Sequence, residues 1–169
     1  MATNITVANT EWEIIDDVAD ALKEVTIAGD VVFPRVVLTT DLEQARETQF
    51  SGDTPFVVIR YLGTTEYECI EGERGGQVQL ELLIGAKKDR GVDEAVAVKE
   101  ALRLTNAAKN AIHLNEPADA VADYMGSEFE FHNKIEWGQP TIDTTEHQPW
   151  ATCLLPVALS FHLDSSTSH

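Results

Sequence analysis

Residues 151–163, ATCLLPVALSFHL, place Cys153, Leu155, Val157, Leu159, Phe161 and Leu163 at every second position. A period of two sends all six to one face of an extended strand, and that face needs an apolar cover. Gln77–Ile84 repeats the pattern, with Val78, Leu80, Leu82 and Ile84 on one side. Two half-buried strands of this kind require a sheet packed against something else, and the remaining chain offers helices.

The first helix is predicted from Thr10 to Val25. Thr10-Glu11-Trp12-Glu13 matches a capping box, and Trp12, Ile15, Val18, Ala19, Leu22 and Val25 follow at helical spacing opposite Glu11, Asp16, Asp17 and Lys23. The second runs from Asp93 to His113, with Ala95, Val98, Ala101, Leu102, Thr105, Ala108 and Ile112 on one side. Its small residues suit close packing on a sheet. A short helix containing Ala118 to Met125 is bracketed by Pro117 and Gly126.

Further strands are expected at Val31–Thr39, Phe56–Leu62 and Ser127–His132, with Ile135 and Trp137 resuming after the last. Pro34 and Pro156 lack a backbone donor, which puts each of their strands at an edge or on a bulge. Phe56–Leu62 is apolar enough to be covered on both faces over part of its length. Thr40–Thr54 reads as a long loop with a short helical turn at Asp41–Arg46, either a contact loop or mobile filler. Gly75-Gly76 signals a tight turn, so Glu66–Gly76 extends into a protruding hairpin. The sum is one α+β domain over residues 1–169, with flexible tails at 1–9 and 165–169. Its mainly antiparallel sheet of about five strands is covered on one face by two principal helices.

Acidic residues outnumber basic ones by 29 to 12, a formal charge of −17. Such a field repels phosphate, so a direct grip on nucleic acid or an anionic membrane is not expected. The start of the chain has no basic region followed by an apolar run, and no stretch is apolar for long enough to span a bilayer, so folding in a cytoplasm is expected. Cys69 and Cys153 make no ligand spacing and are expected as structural thiols, with a disulfide between them left open. His113, His132, His147 and His162 are scattered. There is no nucleophile elbow, zinc-helix motif or phosphate loop, and Gly72-Glu73-Arg74-Gly75-Gly76 reads as turn chemistry among acids that oppose an anion. No catalytic residue, cofactor or metal site is assigned. Candidate contact residues are the hairpin group Glu66, Glu68, Glu71, Glu73 and Arg74, together with Trp150. That tryptophan follows His147-Gln148-Pro149 at the mouth of the last strand, whereas Trp12 is placed at least as well in the core.

Taken in order, Trp12–Val25, Val31-Val32-Phe33-Pro34, Thr54-Pro55-Phe56-Val57-Val58-Ile59, Gln77–Ile84, Asp93–His113 and Ala151–Leu163 resemble the tail terminator or tail completion proteins of long-tailed bacteriophages. The resemblance covers nearly the whole chain and is one of layout rather than of an invariant motif. It implies a virion protein without enzymatic activity, assembled in the host cytoplasm. Its copies would form a ring, a homohexamer in the family, stacked on the tail tube protein and meeting the head-tail connector, with DNA passing through the centre unbound. Six copies would carry on the order of −100 charges, which suits an acidic lumen past which DNA slides. Head completion proteins and connector adaptors share the same size and texture. The competing classes are a small cytoplasmic enzyme and a monomeric adaptor binding through Trp150.

Overall fold

The computed structural model describes residues 10–39, 54–68, 74–87, 93–113, 135–144 and 150–163. Helix α1 (Thr10–Glu24) leads into a two-stranded ribbon, β1 (Thr26–Ile27) and β2 (Asp30–Val31). The ribbon turns through Ala28 and Gly29, both at positive φ, 53° and 89°. Glycine adopts that backbone freely, and the mirror-image turn matches the twist of two antiparallel strands. Then come β3 (Arg35–Thr39), β4 (Phe56–Glu68), β5 (Arg74–Lys87), helix α2 (Glu94–His113), β6 (Ile135–Trp137), β7 (Thr141–Asp143) and β8 (Trp150–Leu163).

The fold is α+β, as the patterning predicts, with a six-stranded sheet in the order β3-β4-β5-β8-β6 and β7 also paired to β8. All pairs are antiparallel except β3 with β4, which run parallel from Arg35↔Phe56 to Thr39↔Arg60. A parallel pair requires the chain to return to its starting end. This is why the polar stretch after β3 is long. The short helix at Ala118–Met125, the strand at Ser127–His132 and nearly all of the Thr40–Thr54 loop lie outside the described residues.

Alternation sets the core. Val57, Ile59, Val78, Leu80, Leu82, Ile84, Cys153, Leu155, Val157, Leu159 and Phe161 share one face and are buried there under Ile14, Ile15, Val18 and Leu22 of α1 and Leu104, Ala108 and Ile112 of α2. Each large side chain so buried contributes about 1.5–3 kcal/mol relative to exposure. Helix α1 packs on β3 and β4, and α2 packs on β5 and β8. Opposite the helices, Phe56, Val58, Leu83 and Trp150 form a second buried cluster, which matches the expectation of a strand covered on both faces.

Several local expectations are corrected. The Val31–Thr39 segment divides, because Val31 closes β2 and Pro34 stands between it and β3; β3 is an outer strand, as expected, but Pro34 lies outside it and is not what keeps it at the edge. Gly75 and Gly76 do not form the turn. They pair with Tyr67 and Glu66 inside the β4–β5 ladder, which runs on to Glu68↔Arg74. In α2, Leu104 is buried while Leu102 is 42% exposed, because alanines occupy several sides of the helix and blur its stripe.

Pro156 lies in β8, an interior strand rather than an edge. Its carbonyl accepts from the Gly138 amide at 2.8 Å, so its missing N–H also points toward the gap between β6 and β7 and leaves the ladder to β5 intact.

Gly85 on β5 is pressed against the ring of Phe56, its cross-strand partner, and a Cβ there would overlap that ring. Phe56 is fully buried against Trp150 and has no room to yield. Gly85→Ala is therefore expected to destabilise the fold by about 1–3 kcal/mol in urea titrations, with part of the loss recovered in Gly85→Ala/Phe56→Leu. Equal losses in the single and double variants would refute the contact.

Candidate functional site

Glu66 is exposed on β4, beyond the register shift between Tyr61 and Gly63. Glu68 and Arg74 are cross-strand partners at the last described rung of the hairpin. Glu71, Glu73 and Cys69 lie outside the described residues. Pairing brings Glu66, Glu68 and Arg74 to one end of the sheet, where β8 also runs alongside β5 as far as Arg74↔Leu163, so the expected protrusion from Glu66 onward is replaced by ladder up to Glu68 and its tip lies outside the described residues.

Trp150 requires a correction. It is 1% exposed and belongs to the core. Alternation along β8 puts it on the same face as Phe56, Val58 and Leu83, where its ring meets Phe56 edge-on at 5.1 Å and 62°. The Arg35 guanidinium lies over both rings, 5.2 Å from Phe56 and 5.8 Å from Trp150. Its Nε donates to the Thr54 hydroxyl at 3.0 Å and an Nη donates to the Thr54 carbonyl, which fixes the start of β4 against β3. A cation held in this way closes the cluster and leaves the tryptophan no face for a partner.

Trp12 shows the opposite outcome, with half its surface exposed. It lines a cleft with Ile15, Leu38, Thr39, Ile59 and Tyr61 where α1 crosses the outer strands. The tyrosine hydroxyl bonds to Thr64. The helical stripe gave the signal for Trp12, but Leu38 and Tyr61 belong to strands whose pairing brings them beside it.

Two short ion pairs stand on the described elements. Arg60 and Glu81 are cross-strand partners on the helix-free face, with Nη2 donating to Oε1 at 2.6 Å. Arg103 grips both Glu100 oxygens at 2.6 and 2.8 Å. That grip holds the Glu100 carboxyl below its usual range despite some desolvation. Cys153 is a free, buried thiol, and burial pushes its pKa up, opposed by Thr105 and Lys109. A thiol in that state is a weak nucleophile. Of the histidines, His113 ends α2 and His162 lies in β8, while His132 and His147 lie outside the described residues. Among the described residues, no three His, Cys, Asp or Glu side chains are grouped to hold a metal ion, and no helix is long and apolar enough to cross a membrane.

No protein-family model and no curated protein matches the chain.

Three outcomes check this picture. Trp150→Ala is expected to cost about 3–5 kcal/mol of stability, against less than about 1 kcal/mol for Trp12→Ala. Equal costs in chemical denaturation would contradict the assignment. Cys153 should resist iodoacetamide in the native protein and label only on unfolding, as read by peptide mapping. Glu100 has a lowered folded pKa, so its pair with Arg103 stabilises above the ordinary carboxylate range and that contribution is lost as pH falls through the folded pKa. Because the pair is largely exposed, Glu100→Gln should cost less than about 1 kcal/mol at neutral pH and nothing in strong acid. A cost that persisted in acid would exclude the ionic origin.

Proposed function

We propose that this chain is a structural protein of a long-tailed bacteriophage, a ring-forming subunit that closes the tail tube and joins it to the head connector. The observation that carries the reading is the order of elements. Helix α1, outer strand β3, then β4, β5, the alanine-rich α2 and the closing β8 are formed by the segments on which the resemblance rests, and together they make one sheet under two helices.

Two physical features support it. The chain carries a formal charge of −17, and a ring of such subunits presents a field from which DNA is repelled rather than bound. The β4–β5 hairpin is built from strands of 13 and 14 residues. Their ladder ends at Glu68↔Arg74, which puts Glu66 and Glu68 at one end of the sheet, in position to meet a neighbouring subunit or tube. A head completion protein or connector adaptor is the alternative position within the same neck, distinguished by which particle end the chain occupies.

Purified protein added to tail tubes is expected to appear in negative stain as density capping one tube end. Tubes that stay open at both ends at every protein concentration would overturn the terminator reading. Replacing Glu66, Glu68, Glu71 and Glu73 together by alanine is expected to reduce capping about tenfold, equivalent to roughly 1.4 kcal/mol. Undiminished capping would remove the hairpin acids from the contact.

A further inference from the structure

The two helices that cover the sheet carry opposite charge. Helix α1 holds Glu11, Glu13, Asp16, Asp17, Asp20 and Glu24 against Lys23 alone, whereas α2 holds Lys99, Arg103 and Lys109 against Glu94 and Glu100. In a chain of formal charge −17 the second balance is a reversal.

The bases of α2 are not spread evenly. Lys99, Leu102, Asn106 and Lys109 follow one another at three- and four-residue steps, so they share one stripe, and no acid stands in it. Lys99 and Asn106 are exposed, Leu102 is 42% exposed and Lys109 is half-buried. Lys109 Nζ lies 5.7 Å from the ring centroid of Trp137, which turns this stripe toward β6 and away from α1. Glu100 and Arg103, which grip each other, stand on another side of the helix, where Arg103 lines a hollow beside Ile27 and Val31 of the ribbon. The stripe is therefore an exposed leucine flanked by lysines.

Glu13, Asp16 and Asp20 form a complementary row on α1, again at three- and four-residue steps and all exposed. Ile14, Ile15, Val18 and Leu22 hold the sheet side of that helix, so the row points outward. Lys23 approaches Asp20 only at 3.8 Å, with both side chains more than half exposed. Because α1 packs on β3 and β4 while α2 packs on β5 and β8, the two helices occupy opposite flanks of one layer. A head-to-tail ring needs two different patches on each subunit that fit each other. Copies of this charge repel, so a contact between them forms most readily where the repulsion is reversed. A lysine stripe and an acidic row on opposite flanks meet both conditions.

We propose that the Lys99–Lys109 stripe of α2 docks on the row of Glu13, Asp16 and Asp20 in the next copy of this chain. Leu102 is covered in that contact, and the charges set its orientation and salt dependence. The pairing rests on the ring reading and names the surfaces that close the ring.

The test is a charge exchange in the full chain, read as particle mass by light scattering, alone and on tail tubes. Lys99→Glu/Asn106→Glu and Asp16→Lys/Asp20→Lys alter exposed positions, and unchanged unfolding midpoints verify folding. Each variant alone is expected to associate about tenfold more weakly than the wild type, and wild-type association should weaken with salt. An equimolar mixture of the two should regain the wild-type mass, because each new acidic stripe meets a new basic row while the unaltered surfaces pair as before. The pairing is overturned if either variant alone associates as the wild type does, or if the mixture does no better than the separate variants. It is also overturned if the stripe variant forms rings yet no longer binds tubes, since the stripe then belongs to the tube protein. Those outcomes leave the ring reading standing, whereas a wild-type chain that stays monomeric with and without tubes overturns both.

Discussion

The structure depends on one ladder. Arg74 to Lys87 of β5 pair in unbroken antiparallel register with Leu163 to Trp150 of β8. A one-residue slip would turn Val78, Leu80, Leu82 and Ile84 away from the helices and expose the glutamines' side of the strand to the core. Register is therefore specified by the same alternation that buries Leu155, Val157 and Leu159 opposite them. Everything else is added at its margins: β4 and then β3 on one side, β6 and β7 on the other, and two helices over one face. Because the ladder joins residues far apart in sequence, its closure carries a large entropic cost that local structure does not offset, which places the chain among slower-folding topologies.

The two faces of that ladder differ in consequence. The helix-covered face is uniformly apolar and makes the main core. On the other, the apolar cluster of Phe56, Val58, Leu83 and Trp150 is confined to one end, and beyond it come the Arg60–Glu81 pair, then Gln77 and Gln79. Arg35 stands at the apolar end and contributes through both aromatic faces and Thr54. An Arg35→Lys change would keep the charge and lose the planar fork that makes those contacts simultaneous.

Much of the fold was legible because its long elements have clean periods. The six alternating positions of β8 and the four of β5 specified both strands and their buried faces, and α1 kept its stripe except at the margin. What stayed hidden depended on partners distant in sequence. Trp150 sits where its local neighbours His147, Gln148 and Pro149 suggest exposure, yet Phe56 and Arg35, brought beside it by strand pairing, bury it. Trp12 is the reverse, an apolar-stripe residue at the border of the helix's buried arc. Pro156 read as an edge signal because sequence does not reveal which side of a strand a missing donor faces. Leu102 and Leu104 were exchanged because an alanine-rich helix has more than one apolar side. The parallel pairing of β3 with β4 leaves no local trace beyond the long stretch that joins them, and the cleft between α1 and these strands was hidden with it.

The claim that the chain works by assembling into a ring is tested most directly by the mass of the particle it forms in solution, read by light scattering over a range of concentrations and again with tail tubes present. A ring-forming subunit gives a closed species of fixed mass, six times that of the chain if the resemblance extends to copy number, either alone or on the tube. A chain that remains monomeric at every concentration and stays unbound when tubes are added contradicts it.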